Sequence, residues 1–329
     1  MKTLSSLLSL AAMATMAVLV ALSPPALAQG VADYPNRSLR IFVPTPAGGA
    51  SDLVARRLAQ ALAGAWGQPV VVDNKPGAAG AIAAQAVMGA APDGYTLLWG
   101  LSSMSGLPAV LKTPPYRHMN ELAPVSNVMR LGYAVYVNKD VPVQSLAELA
   151  SYSRANPGKL NVATGTLGEY MAAVQVFKPL GMQVQRVPYK GGAQLMPDLI
   201  SGQVQLNVGP IQSGLAHVQS GKLKALAVLL PQRSALLPAV PVLSELGLQP
   251  TSALPTWNGL FAPGGTPREL LGKLATAVTQ ALQDPALRAA LASQGADPLG
   301  GTPQQLADEV QAATQAWKSF VLEYDIAPE

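Results

Sequence analysis

Leu39-Arg40-Ile41-Phe42-Val43-Pro44-Thr45-Pro46-Ala47-Gly48-Gly49-Ala50-Ser51-Asp52 carries the pattern on which the fold turns. A short apolar run reads as a strand over Leu39 to Pro44, a Pro/Gly turn follows, and an Ala/Leu-rich amphipathic segment from Ser51 to Trp66 reads as a helix. Free N–H groups at such a helix start, with the helix dipole behind them, make an anion site, and Gly lets a ligand approach the backbone. Taken alone, the turn reads equally well as a plain chain reversal with Ser51 or Asp52 capping the helix. The arrangement recurs, however. Ala163-Thr164-Gly165-Thr166-Leu167-Gly168 precedes a helix expected over Gly168 to Leu180, and Pro188-Tyr189-Lys190-Gly191-Gly192 follows a strand ending at Val187. Open α/β sheets bind ligands at these strand ends, so the three turns together point to one site.

Further strands are expected at Val70 to Asn74, Tyr95 to Trp99, Tyr133 to Asn138, Leu160 to Thr164, Val184 to Val187, Val204 to Val208 and Ala225 to Leu229. Helices are expected at Ser145 to Ala155 and Gln194 to Ser201, and three consecutive helices from about Pro267 onward. Ser145 with Glu148, Thr266 with Glu269 and Thr302 with Gln305 have capping-box spacing, the last two with Pro at the first helical position. Alternating strands and helices argue for an α/β class with parallel sheets and crossover helices. Two sets of strands suggest two lobes: residues 29–130 with 255–329, and residues 131–254. The crossings are expected near Met129 to Gly132 and at Pro250 to Pro255.

At the N-terminus, Lys2, the apolar run Leu7 to Leu22 and the small-residue element Ala26-Leu27-Ala28 form the three parts of a secretory signal peptide over residues 1–28. Export to the periplasm is the expectation. The chain has no Cys, which removes disulfides, thiol chemistry and Cys-based metal sites. A formal net charge of +4, with the basic residues scattered, leaves no nucleic-acid footprint.

Catalytic and cofactor signatures are missing. Gly77 to Gly80 lacks the Lys and Ser/Thr of a phosphate loop, and no dinucleotide fingerprint follows a strand. His118 and His217 are the two His of the chain, without partners at metal-ligand spacing, and there is no G-x-S-x-G elbow. Asp52, Asp73, Asp93 and Glu169 form no acid/base pair by sequence. No enzyme activity, metal or cofactor is expected.

The chain resembles the Bug family, the extracytoplasmic receptors of tripartite tricarboxylate transporters, from about Tyr34 to the C-terminus. The resemblance rests on Ile41-Phe42-Val43-Pro44 with Ala47-Gly48-Gly49-Ala50-Ser51-Asp52, Gly67 to Gly77, Pro92-Asp93-Gly94-Tyr95-Thr96-Leu97-Leu98, Leu122-Ala123-Pro124-Val125, Val187-Pro188-Tyr189-Lys190-Gly191, Trp257 to Pro263 and Gly265-Thr266-Pro267. It implies a type II periplasmic-binding-protein fold, two Rossmann-like lobes joined by two crossing strands with a ligand cleft between them. It also implies that Pro46, Ala47, Gly48, Gly49 and Ser51 hold a carboxylate through backbone amides. Thr164, Gly165, Thr166 and Leu167, with Lys190 and Gly191, would then select the rest of the ligand. Asp52 is expected to cap the helix and support the loop, because a carboxylate facing the anion would repel it.

The sequence departs from the family at two places. The loop around Thr164 is one residue shorter, with the usual His replaced near Tyr170 and Met171, and Gly209 stands where an Asp is common. Loss of that acid leans away from an amino acid and towards a plain or aromatic carboxylate. The expected function is therefore capture of a small carboxylate by a monomeric periplasmic receptor that serves a two-component membrane permease. Alternatives are a periplasmic sensor for a two-component system and, behind it, a secreted enzyme of the same fold.

Overall fold

The computed structural model describes residues 33–230, 232–248, 256–293 and 295–326. The expected signal segment 1–28 and the return crossing at Pro250 to Pro255 lie outside the described residues. Residues from Arg37 onward form one compact unit that holds two sheets. The first has the order β11-β4-β10-β3-β1-β2, with β1 Leu39–Val43, β2 Val70–Asn74, β3 Thr96–Leu101, β4 Ala123–Leu131, β10 Trp257–Ala262 and β11 Ala296–Pro298. The second has the order β7-β6-β8-β5-β9, with β5 Tyr133–Asn138, β6 Asn161–Thr164, β7 Gln185–Pro188, β8 Leu206–Pro210 and β9 Leu223–Leu229.

The helices in chain order are α1 Ala50–Trp66, α2 Ala81–Met88, α3 Leu107–Val110, α4 Leu146–Ala155, α5 Leu167–Phe177, α6 Gly192–Ser201, α7 Ile211–Gln219, α8 Arg268–Ala281, α9 Pro285–Ser293 and α10 Pro303–Glu323. Val54, Ala55, Leu58, Ala59 and Leu62 recur at three- and four-residue spacing and are buried, which turns one face of α1 to the sheet. Gly67, at φ 64, closes that helix in the left-handed conformation that lacks a steric penalty only for Gly.

Strand β5 shows how the second sheet divides two cores. Val135 and Val137 pack with Leu149, Val176 and Phe177 on one face, while Ala134 and Tyr136 pack with Leu195, Leu199 and Ile211 on the other. Helix α5 is apolar on two sides. Ala172, Ala173, Val176 and Phe177 join the core of the second sheet. Leu167, Met171 and Val174, spaced i, i+4 and i+7, join a cluster with Met104, Trp257, Trp317 and Phe320 of the first-sheet layer. This helix is thus anchored on both sides, and Glu169, two residues after Leu167, is carried between the two layers.

Several expectations are corrected. The sheets are mixed: β1, β2 and β3 run parallel, as do β6, β7 and β8, but β10 is antiparallel to β3 and β4, and β5 to β8 and β9. Strands β4, β10 and β11 were not expected. The last of these interrupts the three C-terminal helices by pairing Ala296–Pro298 with Met129 to Leu131. Thr166 caps α5 and Thr302 caps α10, each accepting from the third helical amide, and Ser145 does the same for α4. Thr266 does not cap: its hydroxyl donates to the Pro263 carbonyl at 2.7 Å, and α8 starts only at Arg268. Strand β4 ends at Leu131 and β5 begins at Tyr133, so Gly132 alone separates the two sheets along the chain.

Packing between α10 and the segment after β3 leaves no room at Gly106. A Cβ there would sit 2.1 Å from the Trp317 indole, a ring that is itself buried. Gly106→Ala is expected to destabilise the fold by about 1–3 kcal/mol or more, read as a lower urea midpoint at unchanged slope.

Candidate binding site

A cavity of about 300 Å³ is lined from both sheets. From the first come Thr45, Gly48, Gly49, Ala50 and Ser51 of the β1 to α1 turn, with Ser102 and Ser103 after β3. Gly49 occupies the cap position of α1 in an extended conformation, and the first intrahelical bond runs from the Leu53 N–H to the Gly49 carbonyl. The N–H groups of Ala50 and Ser51 therefore precede the helical ladder and are its unspent donors.

Asp52 stands at the third helical position and does not cap. Its carboxylate accepts from the Gly48 N–H at 2.9 Å, from Arg56 Nε at 3.1 Å and from Asn74 Nδ2 at 2.9 Å. Asn74 Nδ2 also donates to the Thr45 carbonyl at 3.0 Å, so both ends of the turn are tied to one carboxylate and one amide. Burial alone would raise the Asp52 carboxyl, but the hydrogen bonds from Arg56, Gly48 and Asn74 outweigh it and hold the group below its ordinary value. Gly48 needs its φ of 82° to turn its amide to Asp52. Ser51 Oγ donates to Asn258 Oδ1 at 3.0 Å and Trp99 Nε1 donates to the same oxygen at 2.9 Å, which ties the start of α1 to β10 and β3.

The second sheet repeats the device at the start of α5. The Thr166 hydroxyl accepts from the Glu169 N–H at 3.1 Å, and the Glu169 carboxyl accepts from the Gly165 N–H at 2.6 Å. Here the support is thinner. Asn207 Nδ2 reaches Glu169 at 3.3 Å, and among the described residues no Lys or Arg pairs with it. Burial pushes the Glu169 carboxyl up to about 7, against the Gly165 and Asn207 hydrogen bonds. Burial and the nearby Glu169 also raise the Tyr133 phenol.

Four helix starts send residues into this one cavity: Ala50 and Ser51 of α1, Thr166 and Glu169 of α5, Gly192 of α6, and Gln212 and Ser213 of α7. Each contributes roughly half a positive charge from its aligned peptide dipoles. Among the described lining residues there is no Lys, Arg or His, and Glu169 is the one carboxylate. Thr45 Oγ1 and both amide atoms of Gln212 are buried with no hydrogen-bond partner among the described residues, so two residues of the cavity wall hold unspent hydrogen-bonding capacity.

Of the residues singled out in the sequence, Gly48, Gly49, Ser51 and Thr166 line the cavity. Pro46 and Gly191 touch each other instead: a Cβ on Gly191 would fall 2.6 Å from Pro46 Cδ. Gly165 backs onto the Gly191 and Gly192 main chain in the same close manner. Thr164 is buried, its hydroxyl accepting from Arg186 Nε at 3.2 Å, and Leu167 turns into the apolar cluster beneath. Ala47 and Lys190 are exposed and do not line the cavity. Gly209 lies just behind the lining Pro210, and a side chain there would meet Asn207 Oδ1 at 2.5 Å. Sequence reasoning passed over Tyr133, Gln212, Ser213 and Asn258. The strand-end, Gly-Pro, helix-start order of Val208 to Gln212 was the available signal for the second and third.

Comparison with known proteins places the chain in a family. The profile of the tripartite tricarboxylate transporter family receptor matches residues 54–326. The chain belongs to that receptor family. Protein BugT of Bordetella pertussis (strain Tohama I) is 37% identical over 296 residues, 88% of this chain and 90% of its own length. The structure of periplasmic binding protein BugD matches with a TM-score of 0.84 at 31% identity, covering 90% of this chain and all of that one. An R. palustris protein solved with adipate matches at 0.85 and 31%, over 90% of this chain and 100% of its own. The two-sheet α/β architecture of this receptor is thus that of periplasmic binding proteins.

In this receptor Asp52 is the tie beneath the first-lobe turn. Asp52→Ala removes the acceptor shared by the Gly48 N–H, Asn74 Nδ2 and Arg56 Nε, and is expected to cost about 1–3 kcal/mol at pH 7 by urea unfolding. Because the folded Asp52 sits below its ordinary 3.8, the stability it adds is complete above that pH and is lost as pH falls through the folded value. The gap between wild type and variant should therefore narrow as pH falls below 3.8.

Proposed function

We propose that this chain is a periplasmic solute-binding receptor that takes a small carboxylate into the cleft between its two lobes, delivers it to a two-component membrane permease and leaves it chemically unchanged. The convergence of four helix starts on a cavity without a cationic side chain is the observation that carries this reading. Fixed main-chain donors in a space shut off from water hold an anion without a counter-charge. Leu53, Leu101, Leu131 and Met196 give the cavity apolar wall, which suits a ligand with an aliphatic or aromatic body. Adipate, the ligand of one relative, has a body of that kind.

On this reading the carboxylate docks on the Ala50 and Ser51 amides, and the lobe of residues 131–254 closes over it by a hinge motion as a monomer. The Gln212 amide, Thr45 and Tyr133 then complete its hydrogen bonds. A lining set with one carboxyl, one phenol and no His supports binding without turnover.

The test removes one donor and little else. Ala50 is the first helical residue, and Gly49 before it is extended at ψ 167, a conformation that tolerates a following Pro. Ala50→Pro is expected to fold normally and to bind its best carboxylate roughly 10- to 100-fold more weakly by calorimetry, the worth of one charge-assisted hydrogen bond. Unchanged affinity would move the anion away from α1. No heat from wild type across mono-, di- and tricarboxylates would sink the receptor reading.

A further inference from the structure

The two acids at third helical positions do the same mechanical work and differ in compensation. Asp52 and Glu169 each accept the amide of a Gly that precedes the helix cap. Asp52 has the Arg56 guanidinium at 3.0 Å. Glu169 has no cation paired with it among the described residues, is 3% exposed and lines the cavity itself. Its two hydrogen-bond donors both meet the same carboxyl oxygen, Oε2.

The groups around it supply no counter-charge. From β5 comes the Tyr133 phenol, a neighbour in the cavity wall. Strand β8 offers the Asn207 amide, and the first lobe offers the Ser102 and Ser103 hydroxyls. Strand β7 carries Arg186, which is engaged elsewhere, donating to Thr164 Oγ1 and stacked 4.1 Å above the Tyr170 ring. An ionised Glu169 would thus share one cavity with the anion that four helix starts attract, and the two like charges would oppose each other.

We propose that capture of the carboxylate is linked to proton uptake at Glu169: the cleft takes up one ligand anion together with one proton from solvent, held on the Glu169 carboxyl. The protonated group keeps Oε2 as acceptor for Gly165 and Asn207 and presents an O–H donor in place of a second negative charge. A carboxyl that burial holds near 7 is poised to do this around neutral pH. The sign follows: ligand-free Glu169 loses its proton as pH rises through that value, and binding must then restore it, so affinity falls as pH rises. This inference rests on the receptor reading and adds to it a pH-dependent grip.

The experiment is isothermal calorimetry of the mature chain with adipate and a panel of mono- and dicarboxylates, from pH 6 to pH 9, in buffers of different ionisation enthalpy. Wild-type affinity should fall up to about tenfold per pH unit above the midpoint, with uptake approaching one proton per ligand. Glu169→Gln should lose that pH dependence and bind more tightly than wild type at pH 9. Carboxylate binding with flat pH dependence and no proton uptake would overturn the linkage and leave the receptor reading standing. So would weaker binding by Glu169→Gln than by wild type at pH 9, which would mean that the ionised acid holds a cationic group of the ligand. No binding by wild type at any pH would remove both. Should Glu169→Gln fail to fold, the wild-type proton count decides alone.

Discussion

A helix cannot satisfy its own first N–H groups, and much of this molecule is arranged around where those groups end up. Starts of α1, α5, α6 and α7 all reach one cavity, and glycine turns bring them there. A glycine turn is soft, so each of two critical ones is fastened from behind by an acid one helical turn later, Asp52 for Gly48 and Glu169 for Gly165. The first fastening is fully compensated and buried beneath its loop. The second doubles as cavity wall, and under the proposed linkage that makes a structural tie answer to the charge of the bound solute.

The same economy governs how the lobes meet. Helix α5 presents one apolar stripe to its own sheet and another to the layer of Trp317 and Phe320, so the cavity floor is continuous with a packed core. At the opposite contact the Pro46 ring lies on the bare backbone of Gly191, and within the second lobe Gly165 lies in the same way on the Gly191 and Gly192 main chain. A Cβ on Gly191 or Gly165 would fall 2.6 Å from its neighbour, well inside ordinary contact distance, so these segments would have to part.

The sequence exposed the parts of this design that follow local periodicity. Val70 to Asn74 and Tyr133 to Asn138 are strands at the expected bounds, and the caps at Ser145 and Thr302 stand where capping-box spacing put them. Strand β4 was hidden because Pro124, Ser126 and Asn127 look like a loop; the Ser126 hydroxyl is satisfied by the Gly301 carbonyl at 2.9 Å, a partner 175 residues away. Strand β10 was hidden by Asn258 and Gly259, which read as a turn, although Gly259 is there because Leu306 leaves no room for a Cβ. In the site, the first-lobe turn was legible from its own residues. Glu169 was seen as a carboxylate without a partner, but its place in the wall depends on long-range packing of α5. Asn207 beside it depends on the room left by Gly209.

On the proposed reading the anion grip on α1 consists of main-chain amides, so it is set by the backbone and not by any one side chain. Replacing the methyl of Ala50 by another ordinary side chain deletes no donor, whereas changes at Tyr133, Met196 or Gln212 reshape the far wall. A change of cargo can therefore be written in the far wall alone, with the main-chain anchor left as it stands.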